Sequence, residues 1–188
     1  MSKGKYYDWQ SCHNQGVNDA RVVMRKLKTG GHIHYYEEKY DGVSQKKQRD
    51  FLVWFKNGLE KPSHVEVKSE KWQFVNIALE LIHDIENETP GKHINFDNDF
   101  YMHYMVPDNL VVRFDCKPLR DNFLLPLLEM ADEFVPYEKQ SYEYNGQKLK
   151  LTYPKTHRAG VYSHTSCTLI APKELVEKYA GSWQLYQL

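Results

Sequence analysis

The segment "VYSHTSCTLI" sets His164 two positions before Ser166. Side chains alternate across a β-strand, so this imidazole and hydroxyl share one face while Thr165 and Cys167 share the other. An imidazole, with an ordinary pKa of about 6.5, can move protons at neutral pH, and a neighbouring hydroxyl can hold a phosphoryl oxygen. Such chemistry needs a second group across the reacting atom. "SHVEVK" offers one in His64, with Glu66 two positions further on.

Two other patterns carry chemistry. "HIHYYEE" puts His32 and His34 on one strand face with Glu38 close by, an imidazole and carboxylate set of the kind that binds transition metals. "KYDG" places Lys39 before Asp-Gly, and that dipeptide reads as a turn.

The elements must hold these residues in place. With 188 residues, 41% of them hydrophobic, the chain suits one core. Lys and Arg number 25, as do Asp and Glu, so no net field draws in nucleic acid or an anionic membrane, and any phosphate recognition is local. No segment has the roughly 20 apolar residues of a membrane span, and "MSKGKYYDWQSCHNQG" lacks a signal-peptide core. Cys12, Cys116 and Cys167 form no CxxC pair and read as free thiols of a cytoplasmic protein.

Asn18 and Asp19 can cap a helix through Ala20, Val23, Met24 and Leu27 that ends at Gly30-Gly31. "HIHYYEE" alternates as a strand. Ser44 can cap a helix running towards Gly58, although "FLVWF" within it also suits a strand core. "SHVEVK" reads as a strand, and Trp72, Val75, Leu79 and Ile82 follow helical spacing after Ser69. "FYMHYMV" and "LVVRFDC" read as a hairpin, residues 121–134 as a helix with Pro126 in its first turn, and "SYEYNGQKLKLTY" as a second hairpin. "VYSHTSCTLI" is an opening strand before the helix "PKELVEKY". The order predicts an α+β fold, a mainly antiparallel sheet with helices outside.

In that order, and in His164-Thr165-Ser166-Cys167, the chain resembles the two-histidine phosphoesterases, which include the 2′-5′ RNA ligase-like proteins and cyclic phosphodiesterases. The likeness spans residues 32–172 within a domain of residues 32–188, with residues 1–31 as a helical extension. It implies a two-lobed fold in which His64 and His164 face across a cleft as base and acid, with Ser166 on a phosphoryl oxygen. Glu66, Thr168 and Tyr162 would lie on the substrate side, and no metal or other cofactor is required. The implied substrate is a cyclic phosphate, a nucleotide or a short oligonucleotide. His64-Val65-Glu66-Val67 departs from the motif, because Glu66 stands where the family has Thr or Ser; a carboxylate there must be neutral, paired with a base or aimed at a donor. Two alternatives stand beside this reading. One is a non-catalytic protein that binds nucleotides or a protein partner through its Tyr- and Trp-rich surface; the other is a metal enzyme built on His32, His34 and Glu38.

Overall fold

A computed structural model describes residues 9–39, 50–56, 61–130, 141–158 and 161–188. Helix α1 (Trp9–Thr29) leads into β1 (Ile33–Glu38), β2 (Phe51–Phe55) and β3 (Ser63–Glu70). Strands β4 (Asn76–Asp84) and β5 (Thr89–Pro90) come before the hairpin β6 (Phe100–Met105) and β7 (Leu110–Asp115). A helical stretch follows as α2 (Cys116–Leu119), a π-turn (Arg120–Leu124) and α3 (Leu125–Met130). Then come β8 (Ser141–Tyr144), β9 (Gln147–Thr152), β10 (Lys155–Arg158), β11 (Val161–Thr165), β12 (Cys167–Pro172), α4 (Lys173–Tyr179) and β13 (Trp183–Gln187).

The strands form two sheets and a ribbon. The first sheet runs β1-β2-β3-β6-β7-β13, the second β5-β4-β12-β9-β8, and β10 pairs with β11. Among the described pairs only β3 with β6 is parallel. The protein is thus α+β and mainly antiparallel, as its element pattern predicts.

Helix α1 buries Ala20, Val23, Met24 and Leu27 against Phe51, Val53, Val65, Val67 and Met102 on one face of the first sheet. It stops at Gly31, whose φ of +76° is available to glycine at little cost. Tyr101, Met105, Val112 and Phe114 on the other face pack with Ile77, Leu79, Leu81, Leu151 and Leu169 of the second sheet. Strand β3 therefore lies between α1 and the second sheet. Its apolar Val65 and Val67 turn to the helix, and alternation turns Glu66 and Lys68 the other way.

Two expected helices are strands. Residues 51–55 form β2, an interior strand between β1 and β3, and its burial alternates as a strand's does; residues 44–49 lie outside the described residues. The helix expected after Ser69 is instead led by β4. Trp72 and Val75, the first anchors of the helical stripe, are 42% and 59% exposed, while Ile77, Leu79 and Leu81, spaced by two, are buried. Pairing along β12 satisfies this backbone and overrides the helical periodicity. The helix expected over 121–134 already begins at Cys116, and residues 131–134 lie outside the described residues. "VYSHTSCTLI" divides at Ser166 into β11 and β12, and β13 has no counterpart among the sequence expectations.

Strands β1 and β3, both hairpins and α4 fall where the sequence puts them; α1 ends at the expected glycines but begins at Trp9, well before the caps expected at Asn18 and Asp19. The turn before β9 uses Asn145 and Gly146 at φ +50° and +75°. Two successive left-handed residues make the type I′ turn that suits strand twist.

Candidate active site between the two sheets

Glu66 is 3% exposed. Lys68, two residues along the same strand face and about a quarter exposed, donates to its Oε1. Phe51 pairs with Val65, which brings Asp50, one residue before β2, opposite Glu66. The Val67 N–H donates to Asp50 Oδ2 at 3.2 Å, and the Lys39 N–H donates to the Asp50 carbonyl at 2.8 Å. Backbone on both sides thus fixes Asp50.

The second sheet contributes a short arm at the edge of β4. The Gly91 and His93 amides donate to the Leu81 and Glu80 carbonyls at 2.8 and 3.2 Å, and the Glu80 amide donates to His93 Nδ1 at 2.9 Å. Lys92 N donates to Glu80 Oε2 at 3.0 Å. The approach is close enough that a Cβ on Gly91 would lie 2.4 Å from the Glu80 carbonyl oxygen, so only glycine fits. Tyr101 donates its hydroxyl to the Lys92 carbonyl, His93 Nε2 lies 3.4 Å from His103 Nε2, and His103 Nδ1 lies 3.3 Å from Glu70. These contacts hold the arm so that Lys92 comes beside Lys68 in the field of Glu66.

Burial and the nearby Glu66 push the Asp50 carboxyl up to about 7. Burial alone would raise Glu66 too, but Lys68 and Lys92 hold it below the ordinary carboxylate range. Burial likewise opposes charge on Lys68, and Glu66 with Asp50 more than reverses this. Lys92 is lowered by the charge of Lys68 and by burial. His93 sits well below its usual value through burial and the charges of His103, Lys68 and Lys92. The unlike directions of Asp50 and Glu66 describe two adjacent carboxylates of which one keeps a proton.

One oxygen stands apart in this network: Glu66 Oε2 is buried, and apart from the proton that Asp50 shares with Glu66 no donor among the described residues reaches it. Beside a second carboxylate, such an oxygen is satisfied either by a shared proton or by a cation. Two carboxylates are a common protein share of a Mg²⁺ site, since Mg²⁺ keeps several waters and seldom takes an all-protein cage. Asp50 and Glu66 could hold such an ion, and Lys68 and Lys92 could attract the phosphate.

Of the expected site residues, Glu66 belongs to this centre and His64 shares its strand face. The His64 backbone N–H donates to Asp99 Oδ2 at 2.8 Å. Glu66 is paired with a basic side chain, Lys68. His164 lies on β11 in the separate ribbon, with Nδ1 3.1 Å from Ser163 Oγ. The imidazole against its ring is His83 of β4, with centroids 4.5 Å apart. His83 Nδ1 in turn lies 3.2 Å from Glu80 Oε1.

Ser166 falls at the break between strands, buried, with its N–H donating to the Pro154 carbonyl at 3.0 Å. Thr168 pairs with Glu80 and Thr152 in the second sheet. Tyr162 pairs through its backbone with His157; its side chain is outside the described residues. His32 packs edge-on to Tyr186, His34 is exposed on β1, and Glu38 is bound by Arg21 at 3.0 to 3.1 Å. Among the described residues no three His, Cys, Asp or Glu side chains gather as metal ligands.

Asp50, Lys68, Lys92, Glu80 and His83 were not singled out from the sequence. A signal existed for two of them, Lys68 and Asp50. In "HVEVKSE", charged residues alternate with valines on a strand whose valines need a core, and an Asp stands directly before the apolar "FLVWF". Reading the charged face as buried requires knowing that a second sheet covers it. Compared with family models, with curated proteins and with solved structures, the chain shows no match.

Proposed function

We propose that the protein is a divalent-cation-dependent phosphodiesterase acting on nucleotides or nucleic acid strands. The observation that carries this reading is the buried pair of carboxyl groups, Glu66 and Asp50, sharing one proton and flanked by two lysines. A bound Mg²⁺ or Mn²⁺ would supply Lewis acidity and acidify a water ligand. Asp50 and Glu66 would provide the carboxylate oxygens, with Asp50 releasing its proton on binding. Lys68 and Lys92 would neutralise the phosphoryl oxygens as charge builds. Water adds to phosphorus, the P–O bond to the leaving group breaks, and the products are an alcohol and a phosphomonoester.

The test is hydrolysis of dinucleotides and oligonucleotides with Mg²⁺ or Mn²⁺, and again with excess chelator. Metal-dependent turnover that falls at least about 100-fold in Glu66→Gln and in Lys68→Met supports the reading. Turnover that resists chelation, or the absence of any cation binding, overturns it.

A second reading keeps the metal-independent, two-histidine chemistry. What favours it is the ring contact of His164, a residue 7% exposed, with another imidazole. Chelator-resistant turnover lost in His164→Ala is its signature. Nucleotide binding without turnover in either assay marks a binding protein, for which the exposed Tyr35 and Trp72 would be partner contacts. Among the described residues no helix is long and apolar enough to cross a membrane. Two buried free thiols, Cys116 and Cys167, accord with the cytoplasmic setting expected from the sequence.

A further inference from the structure

Glu80 uses its two oxygens in opposite directions. Oε2 accepts from Lys92 N, on the side of the Asp50–Glu66 centre, while Oε1 faces His83 Nδ1 at 3.2 Å. The His83 N–H, the Lys92 charge and the Lys92 amide hold Glu80 below the usual carboxylate range despite its burial, so it accepts from the ring. The His83 ring is thereby fixed with Nε2 on its far edge, and the side chain is 39% exposed. His164 lies against this ring, tilted by 43°, and brings Ser163 Oγ with it.

The other carboxylates of this corner are engaged. Asp84 accepts from the Asn87 amide and side chain at 3.1 and 2.8 Å, and Glu86 accepts from the Thr165 amide at 3.2 Å. Lys155 on β10 stands opposite Thr165 in the ribbon. An oriented imidazole at the surface, backed by a second imidazole with a hydroxyl, suits a phosphate diester. Its oxygen would meet Nε2 while Glu80 faces Nδ1.

We infer that His83 and His164 form a second phosphate subsite, which binds the diester next to the one cut at Asp50, Glu66 and Lys68. This inference rests on the phosphodiesterase reading and deepens it. The preferred substrate becomes a strand with at least two consecutive phosphates, whereas a cyclic mononucleotide would leave this corner empty.

The experiment compares kcat/KM with Mg²⁺ or Mn²⁺ for a dinucleoside monophosphate and for a trinucleotide that carries two diesters. The expected ratio of the second to the first is tenfold or more in the unaltered protein, falling to near one in His83→Ala through a raised KM on the trinucleotide. His83→Lys, which supplies a charged donor without the ring, should recover part of the ratio. Circular dichroism and thermal melting of both variants verify that they fold. A ratio near one in the unaltered protein, or one that His83→Ala leaves intact, overturns the subsite while the phosphodiesterase reading survives. Absence of metal-dependent turnover on either substrate defeats both together.

Discussion

At Asp50 the local chemistry becomes a measurable property of the whole chain. Its folded pKa of about 7 lies above the ordinary 3.8, so between these values the folded protein keeps a proton that the unfolded chain has released. Stability from this group is fully present below about 3.8 and is lost as pH rises towards 7, at no more than about 1.4 kcal/mol per pH unit. Glu66 acts in the opposite sense: its lowered pKa contributes stability that is lost only as pH falls below its ordinary 4.5. The melting temperature of the cation-free protein should therefore decline between pH 5 and 7. Asp50→Asn should flatten that decline, and Mn²⁺ should raise the melting temperature more at pH 8 than at pH 5, because the cation displaces the proton. Scanning calorimetry across pH measures all three, and an unchanged slope in Asp50→Asn would refute the assignment. Glu66 was legible as an anomaly. Its role was not, because a strand's sequence does not say which of its two faces meets a second layer.

At the scale of the element, Gly91 and Gly146 make contrasting predictions. A methyl group at Gly91 meets the backbone of β4, which cannot rotate away, so Gly91→Ala should cost about 1–3 kcal/mol, the usual penalty for overpacking. It should also depress the proposed turnover, since the arm that carries Lys92 must move. Gly146→Ala has open space around it but requires φ of +75°, and should cost roughly 1 kcal/mol with turnover retained. Urea melts beside assays separate the two outcomes; equal loss of turnover in both would remove the special role of the arm. The turn at Asn145-Gly146 was legible because its residues dictate the backbone. Gly91 was not, since its constraint comes from β4, and β4 itself resembled a helix. Residues 72–82 satisfy a three-four spacing and a two spacing at once, and only the presence of β12 chooses between them.

At the scale of the molecule, the sequence showed the α+β class but not the two-layer arrangement, because a neutral, evenly charged chain gives no sign of which polar residues lie between layers. Phe114 is fully buried between the two sheets, and Phe114→Ala should destabilise the fold by about 3–5 kcal/mol in a denaturant melt. Cys116 and Cys167 are buried in the same core, with Cys167 pushed up to about 12 by that burial. A thiol reagent should modify both only at the rate of global unfolding, and faster labelling would reveal local opening.

The path of the chain between its sheets has a further consequence. Strands β1 to β3 enter the first sheet, β4 and β5 the second, β6 and β7 the first again, β8, β9 and β12 the second, and β13 returns to the first. Neither sheet is a contiguous stretch of sequence. No cut through the chain yields two fragments that each own a complete layer, so neither sheet can be exchanged as a cassette with another protein. New properties must instead be introduced by point changes or at loops, and every variant of the site is inherited together with the whole scaffold.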